Sequence, residues 1–176
     1  MKRFPIHSLA AVALLTLASC AAPPPPAPPA PPPLAHPAPL SADWRDWPVS
    51  AGGWRYGAVA GGSLASFGEA GVGATKLTLR CEKATRRIFV SRAVSAPVAG
   101  QMTLRTSFGA ASWPIESDAV PTDSGQNAVA IRAAADAALD QMAFSRGRFA
   151  IEVPGAAPLV VPAWAEVGRV IEDCRS

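Results

Sequence analysis

Three cysteines and two histidines are the side chains of this sequence with the widest chemical repertoire. Cys20 closes a first apolar segment, whereas Cys81 and Cys174 lie far along the chain. Both histidines, His7 and His36, precede residue 40. Residues 41–176 therefore contain no histidine, which argues against a Ser-His-Asp triad, a Cys-His pair or a histidine-ligated zinc site there.

Sequence signatures of catalysis are also absent, since there is no G-x-S-x-G, H-E-x-x-H, S-x-x-K or Walker-type loop. The remaining candidates are carboxylates: Glu116, Asp118 and Asp123 lie in one polar stretch that ends near Asn127. Such oxygen ligands can hold Ca²⁺, but the spaced Asp-x-Asp-x-Asp-Gly loop is missing. We expect a solvated loop there, with no metal, no cofactor and no catalytic residue.

The first twenty residues have the three zones of a secretory signal. Lys2 and Arg3 give a positive start, an apolar run covers residues 8–18, and small residues lead into Cys20. The run is shorter than the roughly 20 apolar residues that span a bilayer, so we expect no permanent transmembrane helix. An ordinary secretory signal with an incidental cysteine is one interpretation.

The segment Leu17-Ala18-Ser19-Cys20 resembles the lipobox of bacterial lipoproteins. The resemblance implies cleavage before Cys20, a diacylglyceryl group on its thiol and acylation of the new amine. Two or more acyl chains hold a protein firmly at a membrane. Ala21 stands where an Asp would favour inner-membrane retention. The resemblance thus implies a lipoprotein of the outer membrane that faces the periplasm.

Proline and alanine dominate residues 21–39, which predicts an extended polyproline II tether rather than a helix or a strand. At about 3.1 Å per residue, the tether reaches roughly 60 Å. The alternative is a ligand for a polyproline-binding module. The predicted organisation is a signal peptide over residues 1–19, the lipidated cysteine and tether over 20–40, and one globular periplasmic domain over 41–176.

The net charge of +3 comes largely from the signal segment. Without Lys2 and Arg3, 14 of the 16 basic residues remain against 13 acidic ones. Nucleic-acid binding depends on neutralising phosphates, so we expect no nucleic-acid partner.

Alternating apolar and polar residues predict strands in the globular region. The alternation covers residues 54–59, 76–81, 87–91, 102–105, 128–131, 148–153 and 159–161. Helices are predicted over Ala133–Phe144 and after Pro162, where Trp164, Val167, Ile171 and Cys174 share one face. The expected fold is mainly β, a small sandwich or open barrel with one short helix and a C-terminal helix.

Cys81 and Cys174 form an even pair in an exported chain, which favours a disulfide that staples the last helix to the sheet. Two free thiols are the alternative.

The pattern of Leu77-Thr78-Leu79-Arg80-Cys81, Phe149-Ala150-Ile151 before Gly155, and Cys174 resembles two families over about a dozen positions. They are the β-sandwich accessory proteins of type VI secretion and the invasion-associated envelope proteins. The resemblance implies a shared fold and disulfide, and it transfers no functional residue.

Aromatic and arginine side chains are the candidate contacts for a ligand or partner. Trp44, Trp47 and Tyr56 would stack on sugar rings if exposed, or else close the core where the tether joins the domain. Trp113 and Trp164 are predicted to pack in the core. Arginines recur on the polar sides of strands and could dock an acidic partner or lipid headgroups, or form a scattered surface; they are Arg80, Arg86, Arg87, Arg92, Arg105, Arg146 and Arg148.

The leading hypothesis is a membrane-anchored envelope lipoprotein that acts as a non-enzymatic binding or accessory module for an envelope protein. A peptidoglycan- or polysaccharide-binding module that uses Trp44, Trp47 and Tyr56 is the second hypothesis. The third is a glycan hydrolase that depends on the carboxylate of Glu116 or Asp118.

Overall fold

Strands form wherever apolar and polar side chains alternate along the chain, because successive side chains of a strand point to opposite faces. The computed structural model describes residues 40–70, 75–116 and 126–176. Its strands are β1 (Gly53–Val59), β2 (Gly62–Gly68), β3 (Thr75–Glu82), β4 (Arg87–Val94), β5 (Gln101–Thr106), β6 (Gly109–Pro114), β7 (Gln126–Ala133), β8 (Arg148–Glu152) and β9 (Leu159–Pro162).

These strands form two open antiparallel sheets. The larger sheet has the order β1-β2-β3-β4-β7, and the smaller one has the order β6-β5-β8-β9. The inner face of the larger sheet buries Phe67, Leu77, Leu79, Ile88 and Val90 in the same core as Leu104, Phe149 and Ile151 of the smaller sheet. The mainly β fold that the sequence predicts is thereby confirmed.

Two helices complete the core. Helix α1 spans Ala137–Ala143 and helix α2 spans Ala165–Asp173. Helix α2 packs against β1, β2 and β3, and α1 packs against α2 and β5. Leu139 and Met142 of α1 and Val167 of α2 are fully buried. In the part of the chain that the structure describes, neither helix is long and apolar enough to cross a membrane.

The predicted disulfide joins the larger sheet to the last helix. Cys81 lies on the inner face of β3, and Cys174 is the residue at which α2 ends. Their Cα atoms lie 5.4 Å apart, and the bond closes a separation of 93 positions. The disulfide interpretation is confirmed.

The first helix is shorter than the sequence predicts. Residues up to Ala133 continue β7, and Asp136 caps the helix by accepting a 2.9 Å hydrogen bond from the amide of Ala138. The prediction that the helix begins at Ala133 was wrong because strand pairing with β4 extends to that residue. Phe144 lies just beyond the helix, at its C-cap.

Trp164 also departs from its prediction. Its backbone is extended at the N-cap of α2, so the side chain does not continue the buried face of the helix. Half of its surface is exposed, whereas Trp113 is 2% exposed and packs in the core as expected. The packing prediction is therefore wrong for Trp164.

Candidate functional site

The two tryptophans at the start of the domain cover the outer face of the smaller sheet. Trp44 lies in a short 3-10 helix, Trp44–Asp46, and Trp47 follows directly after it. Both residues are 9% exposed and pack on Ala150 and Val160. The indole of Trp47 donates a 2.7 Å hydrogen bond to the carbonyl of Ser41. The described structure thus offers little of either ring for stacking on a sugar.

The two arginines singled out on β8 and the preceding loop have different surroundings. Arg148 donates to the carbonyls of Arg45 and Trp47, at 3.3 and 3.2 Å, and so ties the tryptophan segment to β8. Arg146 is exposed, and no carboxylate in residues 40–70, 75–116 or 126–176 forms an ion pair with it. Arg148 is therefore structural, whereas Arg146 presents a cation to solvent.

Tyr56 contacts α2, whereas Trp44 and Trp47 pack on the smaller sheet. Its hydroxyl donates a 2.5 Å hydrogen bond to Asp173, and the guanidinium of Arg169 lies 4.5 Å from the ring centroid. The bond to Asp173 raises the pKa of Tyr56 and lowers that of Asp173, because it favours the phenol and the carboxylate together. The half-buried Tyr56 thus joins β1 to α2.

The carboxylate stretch is described only in part. Glu116 is exposed and its amide pairs with Val129 of β7, whereas Asp118 and Asp123 lie outside the described residues. Among the residues that the structure does describe, no three His, Cys, Asp or Glu side chains converge as metal ligands would.

Two phenylalanines that the sequence analysis passed over stand out by their exposure. Phe108 is 58% exposed in the β5–β6 turn, and Phe144 is 69% exposed at the end of α1. The turn and the loop after α1 adjoin, because the amide of Ser107 donates a 3.0 Å bond to the hydroxyl of Ser145. We name the surface formed by Phe108, Phe144 and Arg146 the aromatic corner.

A hydroxyl pair holds the loops of the aromatic corner together. Ser145 is 5% exposed and donates a 2.5 Å hydrogen bond to the carbonyl of Arg148. In return for the bond that Ser107 makes to Ser145, the hydroxyl of Ser107 accepts a 3.0 Å bond from the amide of Arg146. These reciprocal bonds fix the backbone on both sides of the corner, so the exposure of the two rings does not come from a loose segment.

A second surface feature is a cavity of about 340 Å³ beside the β3–β4 hairpin. We name it the arginine cavity, since three of the residues that line it are arginines; the lining comprises Thr85, Arg86, Arg87, Ala133, Ala134, Ala135 and Arg175. It lies at the N-terminal side of α1, whereas the aromatic corner lies at the C-terminal end of the same helix.

Hydrogen bonds to main-chain carbonyls position two of these arginines. Arg175 donates from Nε to the carbonyl of Ala134 at 2.8 Å, and its guanidinium forms a 2.8 Å ion pair with Asp140. Arg86 donates to the carbonyl of Arg175. In the described parts of the chain, neither Arg86 nor Arg87 forms an ion pair.

The backbone of Arg86 is left-handed, with a φ of 52°, in the turn that its amide closes onto the carbonyl of Lys83. For a residue with a Cβ this conformation costs about 1–2 kcal/mol, and glycine is the usual choice. Backbone strain of this kind clusters at functional sites. The turn therefore keeps an arginine at a position where glycine would be easier to accommodate.

Comparisons with protein-family models, with curated proteins and with solved structures find no match to this chain.

Sequence reasoning identified part of each surface. Arg146, Arg86 and Arg87 were among the candidate arginines, but Arg175, Phe108 and Phe144 were not. Arg175 directly follows Cys174, so the disulfide prediction could have indicated that it lies near β3. The exposure of the two phenylalanines has no sequence signal, because it depends on how the two loops meet.

Proposed function

We propose that this protein is a lipid-anchored lipoprotein of the cell envelope whose folded domain binds another envelope protein and catalyses no reaction. The aromatic corner carries this proposal. Two phenylalanines, each more than half exposed, adjoin the half-buried Ser107 and the buried Ser145, whose hydrogen bonds fix the backbone there. Arg146 follows Ser145 and forms no ion pair among the described residues. Such an arrangement is costly to leave in water and favourable to cover.

The energetics favour a partner at this surface. Fully burying a phenylalanine side chain contributes roughly 1.5–3 kcal/mol, so covering the exposed parts of two rings supplies a substantial share of a binding free energy. Because the loops are already fixed, little ordering entropy is lost on association.

The composition of the corner favours a protein over a membrane surface. Protein interfaces are enriched in aromatic residues and arginine and depleted in lysine. Segments that bind anionic membranes carry clusters of about 4–8 basic residues. The corner has Arg146 alone, so an apolar partner surface with an acidic side chain near its rim fits it best.

The anchor and the tether give such a domain its reach. Acyl chains on Cys20 would keep it at the membrane, and the proline-rich tether would let it meet a partner roughly 60 Å away. A Cys20→Ala form of the full chain should leave the detergent-extracted membrane fraction for the soluble fraction. Retention of that form in the membrane would count against the lipid anchor.

Site-specific photo-crosslinking in intact cells tests the binding surface. The full chain carries a photoreactive amino acid either at position 144 or at Val59, which is 38% exposed at the end of β1 and serves as the control. We expect one envelope protein to be crosslinked from position 144 and not from position 59. A Phe108→Ser substitution in the same chain should abolish that adduct.

Three outcomes would contradict the proposal. Equal adducts from both positions would mean that the corner is not selective, and no adduct would mean that it is not covered. Crosslinks to lipid alone would assign the corner to the membrane surface instead of a protein.

A further inference from the structure

We propose that the arginine cavity is a binding site for a phosphate monoester, a function separate from the partner contact at the aromatic corner. Three arginines from two chain segments line one cavity of about 340 Å³. Arg86 and Arg87 come from the β3–β4 hairpin, and Arg175 comes from the residues after α2. Guanidinium groups bind phosphate oxygens in two-pronged fashion, so a cavity lined by arginines suits a phosphate group.

The charge of the cavity matches a dianion. Arg86, Arg87 and Arg175 supply three positive charges, and the ion pair with Asp140 offsets one, which leaves two. Glu82 is the cross-strand neighbour of Arg87; it lies 3.9 Å from the guanidinium of Arg80 and accepts a hydrogen bond from the hydroxyl of Thr85. A phosphate monoester carries about −1.5 to −2 at neutral pH, whereas a carboxylate carries a single charge and would leave one arginine unneutralised.

The shape of the cavity provides for the organic part of the ligand. Ala133, Ala134 and Ala135 also line the cavity and add no polar side-chain group to it. The volume lies at the lower end of the range of about 300–1,000 Å³ found for small-molecule sites, far more than a single oxyanion fills. An ester with a small apolar or glycerol-like group therefore fits better than free phosphate.

The site is fixed before any ligand arrives. Arg175 follows Cys174, whose bond to Cys81 holds the end of α2 against β3. The carbonyls of Ala134 and Arg175 orient the guanidiniums of Arg175 and Arg86. Binding would therefore spend little free energy on ordering these side chains.

Titration calorimetry of the full chain in detergent micelles tests the site. The probes are glycerol 3-phosphate, inorganic phosphate and the short-chain lipid dihexanoyl phosphatidate, with dihexanoyl phosphatidylcholine, a zwitterionic phosphodiester, as the comparison lipid. We expect saturable binding of glycerol 3-phosphate and weaker binding of inorganic phosphate. Arg87→Gln should weaken glycerol 3-phosphate binding at least tenfold, about 1.4 kcal/mol.

The matched control is Arg55→Gln, which removes an exposed arginine of β1 outside the cavity and should leave binding unchanged. Phosphatidate that binds at least tenfold more tightly than glycerol 3-phosphate would identify a lipid headgroup as the source of the phosphate. Equal affinities would identify a soluble ester. Absence of binding by all three phosphate probes, or equal weakening by Arg55→Gln and Arg87→Gln, would overturn the proposal.

Discussion

The hydroxyl of Tyr56 donates a 2.5 Å hydrogen bond to the carboxylate of Asp173 and so links β1 to the end of α2 across 117 positions of sequence. Arg169 lies over the same ring. The pKa of Tyr56 is raised above 10.0, first by this bond and then by burial and by the negative charge of Asp173. The pKa of Asp173 is lowered below 3.8, chiefly by the same bond.

Because Tyr56 is the only tyrosine of the chain, its ionisation can be followed directly by the absorbance of tyrosinate. We expect a midpoint above 10.0 in the folded protein. Asp173→Ala should lower the midpoint, since it removes both the acceptor and the negative charge. An unchanged midpoint in that variant, with the circular dichroism of the fold intact, would show that the bond does not form.

The same bond predicts how a Tyr56→Phe substitution depends on pH. Asp173 has a lowered pKa in the folded state, so its contribution to stability is present above about pH 3.8 and is lost as the pH falls through the folded value. Tyr56 has a raised pKa, so its contribution is present below about pH 10.0 and is lost as the pH rises through the folded value. The destabilisation caused by Tyr56→Phe should therefore be constant near neutral pH and shrink at both extremes. Urea unfolding of the wild type and Tyr56→Phe at a series of pH values measures this destabilisation. A destabilisation that does not change with pH would contradict the prediction.

The disulfide should supply a large part of the stability of the domain. In the chain-entropy model, closing a separation of 93 positions is worth about 4–5 kcal/mol. We expect Cys81→Ala with Cys174→Ala to lower the free energy of unfolding by at least that amount, measured by urea unfolding. The wild-type chain in reductant keeps both sulfur atoms and isolates the effect of the crosslink. A loss below about 1 kcal/mol in reductant would show that the covalent link contributes little.

Much of the fold could be predicted because its central strands alternate large apolar and polar residues. Leu77 and Leu79 of β3 and Phe149 and Ile151 of β8 are all buried, as their spacing indicates. Strand β2 was missed because two of the inward positions before Phe67 are the small residues Ser63 and Ala65. Strand β6 was missed because Trp113 alone is buried along it.

The candidate surfaces were less predictable because each depends on contacts between distant segments. Arg86 and Arg175 meet only when α2 is held against β3. The sequence predicts Phe144 as the last residue of a longer helix, whereas it lies 69% exposed beside the loop that Ser145 joins to Ser107. The local sequence pattern does not indicate such contacts between distant segments. Burial of one face of a strand, by contrast, produces an apolar residue at every second position.

The start of β2 lies too close to β3 for any side chain. A Cβ built on Gly62 would stand 2.1 Å from the carbonyl oxygen of Cys81, which is main chain and cannot rotate away. We expect Gly62→Ala to lower the free energy of unfolding by at least about 2 kcal/mol, as overpacking against backbone does. Gly57→Ala on the neighbouring strand is the matched control, since a Cβ there meets nothing within 4 Å. Urea unfolding measures the free energy of unfolding of both variants. Equal losses in the two variants would contradict the close approach of Gly62 to the carbonyl of Cys81.

The left-handed backbone of Arg86 predicts an unusual order of stabilities at one position. At most positions a variant with glycine is less stable than a variant with alanine, because glycine has more conformational freedom in the unfolded chain. At Arg86 the strain of a Cβ outweighs that gain, so Arg86→Gly should be more stable than Arg86→Ala by about 1 kcal/mol. Both variants lose the same guanidinium, so both should lose phosphate ester binding to the same extent. Thermal unfolding measures the order of stability, and calorimetry measures the binding. If Arg86→Ala is as stable as Arg86→Gly, the turn relaxes when the arginine is removed. The backbone strain would then depend on the contact between Arg86 and the carbonyl of Arg175.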